Sequence, residues 1–412
     1  MKVFTRRRFR WATIVLIGLI LFIASRGWGL VHKEALANAA FYTYISDTNE
    51  QEALLRTVKS IESNFNYKFG YDWVFSYYDI EGKGFPEDLR SRIDHMTSGT
   101  IYIEEITRDN KYFDLPGGID IDYLRRVGMS GGHYGLIPNH QYLSYKLKNR
   151  FQSYGYQFLE TLKRYRYVCN VEVNTELMCD VDWDFIKFTE QNKIVYGFSY
   201  APVESISGIR TLYKTFEGFL EAEGSAIDPS NMIKFVKGGT ETAPIHTLCN
   251  LDSNMGIIDM EILRSEHYRR FFEHMDSAYG IFYERWTDYS LITMYLSTYV
   301  SKEKIFWIPD TGYQDVLSRR SCPLNLETRM EHGCVCDPRM DLSFSKYSCL
   351  RRFFSETEKE LPKGVPEQDR TLRFKRLNVQ GGVFERQFSR LDGEYAGLFL
   401  NERTSEHSGD VQ

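Results

Sequence analysis

Two stretches of the chain gather carboxylates of the kind used in acid-base and metal chemistry. In "CNVEVNTELMCDVDWD", Cys169 to Asp184, apolar and polar positions alternate around Glu172, Asp180, Asp182 and Asp184. An acid-x-acid pair placed after a strand supplies hard oxygen ligands that suit Mg2+ or Mn2+ held against a diphosphate. The same spacing also describes solvated strand ends. In "FYERWTDYS", Phe282 to Ser290, Asp288 stands where a turn would enter the helix "YSLITMYLSTYV". A carboxylate there either caps the helix or, with Trp286 and Tyr283 as walls for a sugar ring, holds or deprotonates a hydroxyl. Glu284 and Arg285 read as a structural ion pair. Tyr145 and Arg150, in "LSYKLKNRFQS", offer a phosphate contact or a basic helical face.

The elements around these residues suggest an α/β framework. "AAFYTYIS" (Ala39 to Ser46) reads as a strand, and the stretch after it places Leu54, Val58, Ile61 and Phe65 at helical spacing, with Thr48 and Gln51 as a capping box. "DWVFSYYD" (Asp72 to Asp79) is a second strand, so the three segments predict a βαβ unit and parallel pairing. Such sheets bind nucleotides beyond the C-terminal ends of their strands. "KIVYGFSY" and "KIFWIPD" predict two further strands, and Met260, Leu263, Tyr268 and Phe271 form the apolar stripe of one helix over Asp259 to Met275.

With 412 residues, 42% of them hydrophobic and only 11 prolines, the chain can bury a large core. Its net charge of −5 argues against a nucleic-acid partner. Arg6, Arg7, Arg8 and Arg10 precede an uncharged run that begins at Trp11, and counted to Val31 the stretch reaches roughly the 20 residues of a spanning helix. The expectation is a cytoplasmic tail over 1–10, a signal anchor over 11–31 and a lumenal remainder; "ALA" at Ala35 to Ala37 leaves a cleaved signal peptide as the alternative. Seven cysteines in a lumen favour disulfides over a zinc site, with the connectivity open. After Phe354 the sequence turns charged and aperiodic, which predicts a loosely ordered tail over 355–412.

With these stretches in their order, the chain resembles the fungal retaining α-1,2-mannosyltransferases of glycosyltransferase family 15. The similarity runs from Asn38 to about Phe354 and rests on "NAAF" at Asn38, "SIESNFNYKFGYDWVF" from Ser60, "SYKLKNRFQS" from Ser144, "CDVDWD" from Cys179, "KIVYGF" from Lys193, "LRSEHY" from Leu263, "FYERWTD" from Phe282, and the "CP", "CVC" and "YSCL" cysteine blocks. The resemblance implies a GT-A-like mixed sheet with a Rossmann-like nucleotide-binding half over 38–354; unlike most of the family, this sequence leaves only a very short stem, 32–37, between it and the expected anchor. It also implies a Golgi type II membrane enzyme that uses GDP-mannose and Mn2+ to mannosylate a mannose-terminated glycan of a glycoprotein.

Carried over by residue, the resemblance places the family's Glu-Pro-Gly on Glu172-Val173-Asn174, which keeps the acid and changes the turn residues. Glu172 is then expected at the metal and diphosphate, Asp288 as the base toward the acceptor, and Tyr145 near the donor, with Arg150 and Ser153 following in register. The family's metal-binding histidine falls on Asp315, itself a good Mn2+ ligand. The family's candidate nucleophile, a glutamate, falls on Gly256. A double displacement through a carboxylate therefore lacks its nucleophile, whereas a same-face reaction needs only positioning and the diphosphate. Two alternatives stand beside an active transferase: a catalytically silent relative that binds GDP-mannose or glycan, and a lumenal structural protein.

Overall fold

The expected βαβ unit forms. Strand β1 (Ala39–Ile45) leads to the helix Gln51–Ile61, and β2 (Asp72–Tyr77) returns parallel to β1 with Ala40 opposite Asp72. Leu54, Val58, Ile61 and Phe65 are all buried, as their spacing predicts. The helix runs on into a π-helical turn, Glu62–Asn66, and a last turn, Tyr67–Phe69, which stops at Gly70 with φ of 87°. Glycine takes that left-handed cap without steric cost. The buried Glu62 carboxylate ties this turn to β2 and to the loop ahead of the third strand, accepting hydrogen bonds from Trp73 Nε1 at 2.7 Å and from Ser98 N at 3.0 Å.

The computed structural model describes residues 35–46, 51–79, 82–107, 110–129, 143–240, 243–315 and 319–365. The predicted tail and anchor over 1–31, Thr48 of the capping box, and most of the predicted C-terminal tail lie outside these residues. By contacts the chain divides after Leu36. Among the described residues no helix is long and apolar enough to cross a membrane. Order continues past Phe354, since the helix Leu350–Glu356 crosses that expected boundary.

Further strands follow: β3 (Ile101–Glu105), β4 (Tyr167–Asn170), β5 (Glu176–Leu177), β6 (Tyr196–Phe198), β7 (Lys237–Thr240), β8 (Ala243–His246), β9 (Gly256–Asp259), β10 (Ile305–Trp307) and β11 (Tyr313–Gln314). A seven-stranded mixed sheet has the order β10-β6-β9-β4-β1-β2-β3, while β5 with β11 and β7 with β8 form separate antiparallel ribbons. In the large sheet only β9 runs against its neighbours, β4 and β6. Both faces are covered. Tyr42, Val74 and Ile258 belong to one apolar core, and Phe41, Trp73 and Ile257 to the other. Burial on both sides explains why these strands read as nearly unbroken apolar runs.

The single helix expected over Asp259 to Met275 is two, Met260–Arg264 and Glu266–Asp276. Ser265 adopts an extended backbone and caps the second helix by accepting from Tyr268 N at 3.1 Å. The apolar stripe survives the break, with Met260, Leu263, Tyr268 and Phe271 all buried. Cys179–Cys334 and Cys249–Cys349 tie the C-terminal segment to earlier loops of the fold, Cys322–Cys336 closes a loop within that segment, and Cys169 is a buried free thiol in β4. The first two close loops of 155 and 100 residues, the long separations over which a crosslink restricts the unfolded chain most.

Candidate active site

From β1 the chain builds outward to β2 and β3, then places β4 on the other side of β1. This reversal opens a crevice at the C-terminal ends of β1 and β4, the place where open α/β sheets hold ligands. Glu172 lies just beyond β4. The strand is pinned on the way, because Val171 N donates to Tyr42 O at 2.8 Å and Thr43 Oγ1 donates to Val171 O at 2.8 Å. Asn174 then turns with φ of 69°. Asparagine tolerates the left-handed region, so a bend that calls for glycine is kept without one. Asn174 N is held by Thr57 Oγ1 at 2.8 Å.

Because β9 runs antiparallel to β4, its first residue, Gly256, sits opposite Asn170 and brings the loop Asp252 to Met255 to the same end of the sheet. Asn254 fixes that loop by accepting from Glu172 N at 2.9 Å and donating to Tyr313 OH at 3.0 Å. A Cβ on Gly256 would lie 2.8 Å from Ser253 O and 3.1 Å from Asp252 O. The backbone approaches itself too closely for any side chain without movement, so the glycine answers a steric demand.

Asp288 enters from a third direction. Thr287, not Asp288, caps the helix Asp288–Tyr299, its Oγ1 accepting from Ser290 N at 3.2 Å. The capping alternative therefore falls to Thr287. Asp288 is buried on the first helical turn and lines a small cavity in which the polar groups of Ser253, Ser153, Gln152 and Asn170 stand among aromatic and aliphatic side chains such as Tyr156 and Ile292. Burial raises its pKa, the negative charge of Glu172 adds to the rise, and a hydrogen bond with Ser253 and the charge of Lys148 oppose it. A carboxylate held above its usual range is a stronger base when ionised. Gln152 Oε1 and Asn170 Oδ1 are buried beside it with no hydrogen-bond partner among the described residues, two acceptors suited to hydroxyl donors.

Two basic side chains complete the group. Lys148 Nζ lies 2.6 Å from Glu172 Oε1. Burial works against ionisation of Glu172, but Lys148, through charge and hydrogen bond, holds it below its usual pKa. Arg319 bridges two further acids, with Nη1 2.6 Å from Asp252 Oδ2 and Nε 2.5 Å from Asp315 Oδ2. Asp315 is enclosed, as its Oδ1 accepts from Arg319 N at 2.8 Å and its Oδ2 also accepts from Tyr313 OH at 3.1 Å. Burial raises Asp252 to about 7, opposed by Arg319 and assisted by Asp315 and Glu172.

The sequence-predicted residues divide accordingly. Glu172, Asp288 and Asp315 meet in one electrostatic neighbourhood, Ser153 lines the cavity, and the half-buried Tyr145 lies near Lys148 and Tyr289. Arg150 does not take part. Its guanidinium is spent on Asp276, at 2.8 Å from Nη2, and on the carbonyls of Lys111 and Asp114, so it ties structure together rather than meeting phosphate. Trp286 is no wall for a ligand, being buried over Gly280 with its Nε1 donating to Glu284 Oε2 at 2.7 Å. Tyr283 faces Tyr123 and Tyr279, and its hydroxyl accepts from Asp120 N at 2.7 Å. Glu284 and Arg285 are structural but not partners, since Arg285 pairs with Glu204. Beneath them Lys146, buried without a carboxylate partner among the described residues and lowered to about 7 by burial and then by Arg285, donates to Phe282 O and Glu284 O. Of "FYERWTDYS", Asp288 alone reaches the cavity.

The acid-x-acid pairs of "CDVDWD" are not a metal site either. Asp180 is half-exposed and paired with Lys68, Asp182 is exposed near His332, and Asp184 caps the helix Phe185–Gln191. Sequence reasoning missed Lys148, Asp252, Ser253 and Arg319. Two of them carried a signal: Lys148 follows Tyr145 by three positions on one helix, and Arg319 follows Asp315 by four.

A mixed sheet with ionisable and polar groups gathered at its switch point is an open α/β architecture of the kind that holds a ligand there. The profile of the glycolipid 2-alpha-mannosyltransferase family matches residues 25–358, and the chain belongs to that family. It is 29% identical to the alpha-1,2 mannosyltransferase KTR1 of Saccharomyces cerevisiae over 326 residues, 79% of this chain and 80% of that one. It is 25% identical to the O-glycoside alpha-1,2-mannosyltransferase omh1 of Schizosaccharomyces pombe, over 79% of this chain and 80% of that one. Among solved structures it resembles core-mannan synthase A (CmsA/Ktr4) of Aspergillus fumigatus in an Mn/GDP form, with a TM-score of 0.70, 26% identity, and coverage of 79% of this chain and 87% of that one. The resemblance drawn from the sequence is borne out, and with it the GT-A-like sheet and the assignment as a glycosyltransferase.

Proposed function

We propose that the chain transfers mannose from GDP-mannose to a mannose-terminated glycan, forming an α-1,2 linkage with retention of configuration. Family membership sets the reaction class, and the observation that carries it to this chain is the meeting of Asp288, Glu172 and Lys148 at the C-terminal ends of β1 and β4. In this reading the diphosphate lies toward Lys148, and the sugar's hydroxyls donate to Gln152 Oε1 and Asn170 Oδ1. The acceptor hydroxyl gives its proton to Asp288, its oxygen bonds to C1 of mannose, and the bond from C1 to the phosphate oxygen breaks with its electron pair leaving on GDP. Gly256 offers no carboxylate for a covalent intermediate, which favours attack on the face from which the diphosphate departs.

The related core-mannan synthase A is known in an Mn/GDP form, which makes Mn2+ the cation to test against this site. Here the expected ligands Glu172 and Asp315 are already bonded to Lys148 and Arg319, so the residues as paired do not fit an Mn2+ site. The three disulfides support an oxidising compartment, and the arginine cluster before the apolar run supports a type II anchor and a Golgi location. The test is transfer of labelled mannose from GDP-mannose to methyl α-mannoside by the purified full chain, with linkage and anomeric configuration read by NMR. An α-1,2-linked dimannoside supports the proposal. GDP binding without transfer would replace it with the silent relative.

A further inference from the structure

The two acids expected to hold a metal are each closed by a basic side chain from within the protein. Lys148 comes from the helix Leu143–Tyr154 and meets Glu172 at 2.6 Å; Arg319 follows β11 and lies between Asp315 and Asp252 at 2.5 and 2.6 Å. For Asp315 to bind a cation, a buried ion pair and the hydrogen bonds from Arg319 N and Tyr313 OH would first have to open, and removing one partner of such a pair is strongly unfavourable. Lys148 and Glu172 differ in being partly open, with side chains 19% and 25% exposed. An ammonium group there keeps donors for a second partner, since it has three.

We propose that Lys148, backed by Arg319, takes the place of the divalent cation toward the donor's diphosphate, so that this chain binds its nucleotide without metal. The two side chains together carry two positive charges, the charge of the ion they replace. Lys148 acts on phosphate as a point charge, while Arg319, with Nε and Nη1 held by Asp315 and Asp252, adds its charge from behind. Glu172 then serves as the anchor that aims Lys148, rather than as a metal ligand. Asp315 and Asp252 do the same for Arg319. The inference rests on the GDP-mannose reading above, but the two fail in different ways.

The experiment is calorimetric titration of the purified full chain with GDP, once in EDTA and once with Mn2+. The expected result is an affinity that changes less than about twofold between the two conditions. Lys148→Met should weaken GDP binding about tenfold or more in EDTA, as expected for loss of a charge-assisted contact, and Lys148→Arg should retain most of it. Because the methionine variant frees Glu172, added Mn2+ should recover part of the lost affinity. Thermal unfolding of both variants checks that the fold persists, and Lys148→Arg keeps the test informative where the methionine variant does not fold. Wild-type binding that disappears in EDTA and returns with Mn2+ overturns metal independence while leaving the donor reading intact. Equal binding by wild type and a folded Lys148→Met in EDTA overturns the role of Lys148. No GDP binding in either condition defeats the donor reading and this inference together.

Discussion

Glu172 and Asp180 stand eight residues apart in one acidic stretch, yet the fold gives them opposite surroundings. Glu172 is only a quarter exposed at the end of β4, matched by Lys148 and neighboured by Asp288, whereas Asp180 sits on the surface in a pair with Lys68 and Asp182 is exposed. The second group has the spacing of a metal motif and the first has none. The difference shows that spacing along one strand says little about a site whose other members arrive from elsewhere. Lys148, Asp252, Asp288 and Arg319 come from a helix, a loop, a second helix and the segment that follows β11.

The largest effect should come from the buried group. Asp288→Asn keeps shape and removes the base, so turnover should fall by roughly 10² to 10⁴ with GDP affinity little changed. Steady-state kinetics beside a GDP titration checks both halves, and full turnover in the variant would remove Asp288 from the chemistry. Next in size is Gly256. Introducing the carboxylate that the resemblance leads one to expect at this position looks from the sequence like a route to higher activity, but the carbonyls of Ser253 and Asp252 stand where its Cβ must go. Gly256→Glu should lower stability by about 1–3 kcal/mol, the usual range for overpacking. Gly256→Ala should lower it comparably, because the crowding is at Cβ. If alanine is tolerated and only glutamate unfolds the chain, charge rather than backbone crowding governs the position.

Much of the framework was legible because local patterns decide it. The unit from β1 to β2, the strands at Tyr196 and Ile305 and the stripe on Met260, Leu263, Tyr268 and Phe271 all follow from apolar periodicity and burial. The break at Ser265 was not, since a serine inside a periodic stretch reads as a helical residue until its backbone is seen capping the next helix. The site was legible only in its acids. Arg150 and Trp286 have the residue types of a binding site, but Asp276 lies 126 positions from Arg150, and nothing local announces that pairing. The family resemblance supplied Glu172, Asp288 and Asp315 and remained silent about Lys148 and Arg319, which decide what those acids can do.

Asp184 sharpens the contrast from the structural side. Its carboxylate accepts from Lys187 N at 2.9 Å and from Tyr71 OH at 2.8 Å, capping a short helix. Asp184→Ala should therefore cost about 1 kcal/mol, typical of a lost cap. Asp184→Asn, which keeps an acceptor oxygen, should cost less, and GDP affinity should not change in either variant. Chemical denaturation measures the first expectation. Weakened nucleotide binding in a stable Asp184→Asn would instead return this residue to the site.

The smallest expected effect is the one that tests the comparison most directly. Asp180 is half-exposed and its partner Lys68 also donates to Val181 O at 3.0 Å, so the lysine keeps a bond when the pair is lost. Asp182 approaches His332 no closer than 3.7 Å and is 67% exposed. Exposed pairs of this kind contribute about 0–1 kcal/mol and are screened by salt. The double variant Asp180→Asn with Asp182→Asn should thus unfold within about 1 kcal/mol of wild type, the small difference shrinking further in high salt. It should also bind GDP as wild type does in both EDTA and Mn2+. Glu172→Gln, a change of the same chemical size eight residues earlier, should weaken GDP binding by releasing Lys148 from its anchor. Equal losses in the two variants would mean that the surface acids belong to the donor site after all, and that burial at the end of β4 is the wrong criterion for choosing between the two groups.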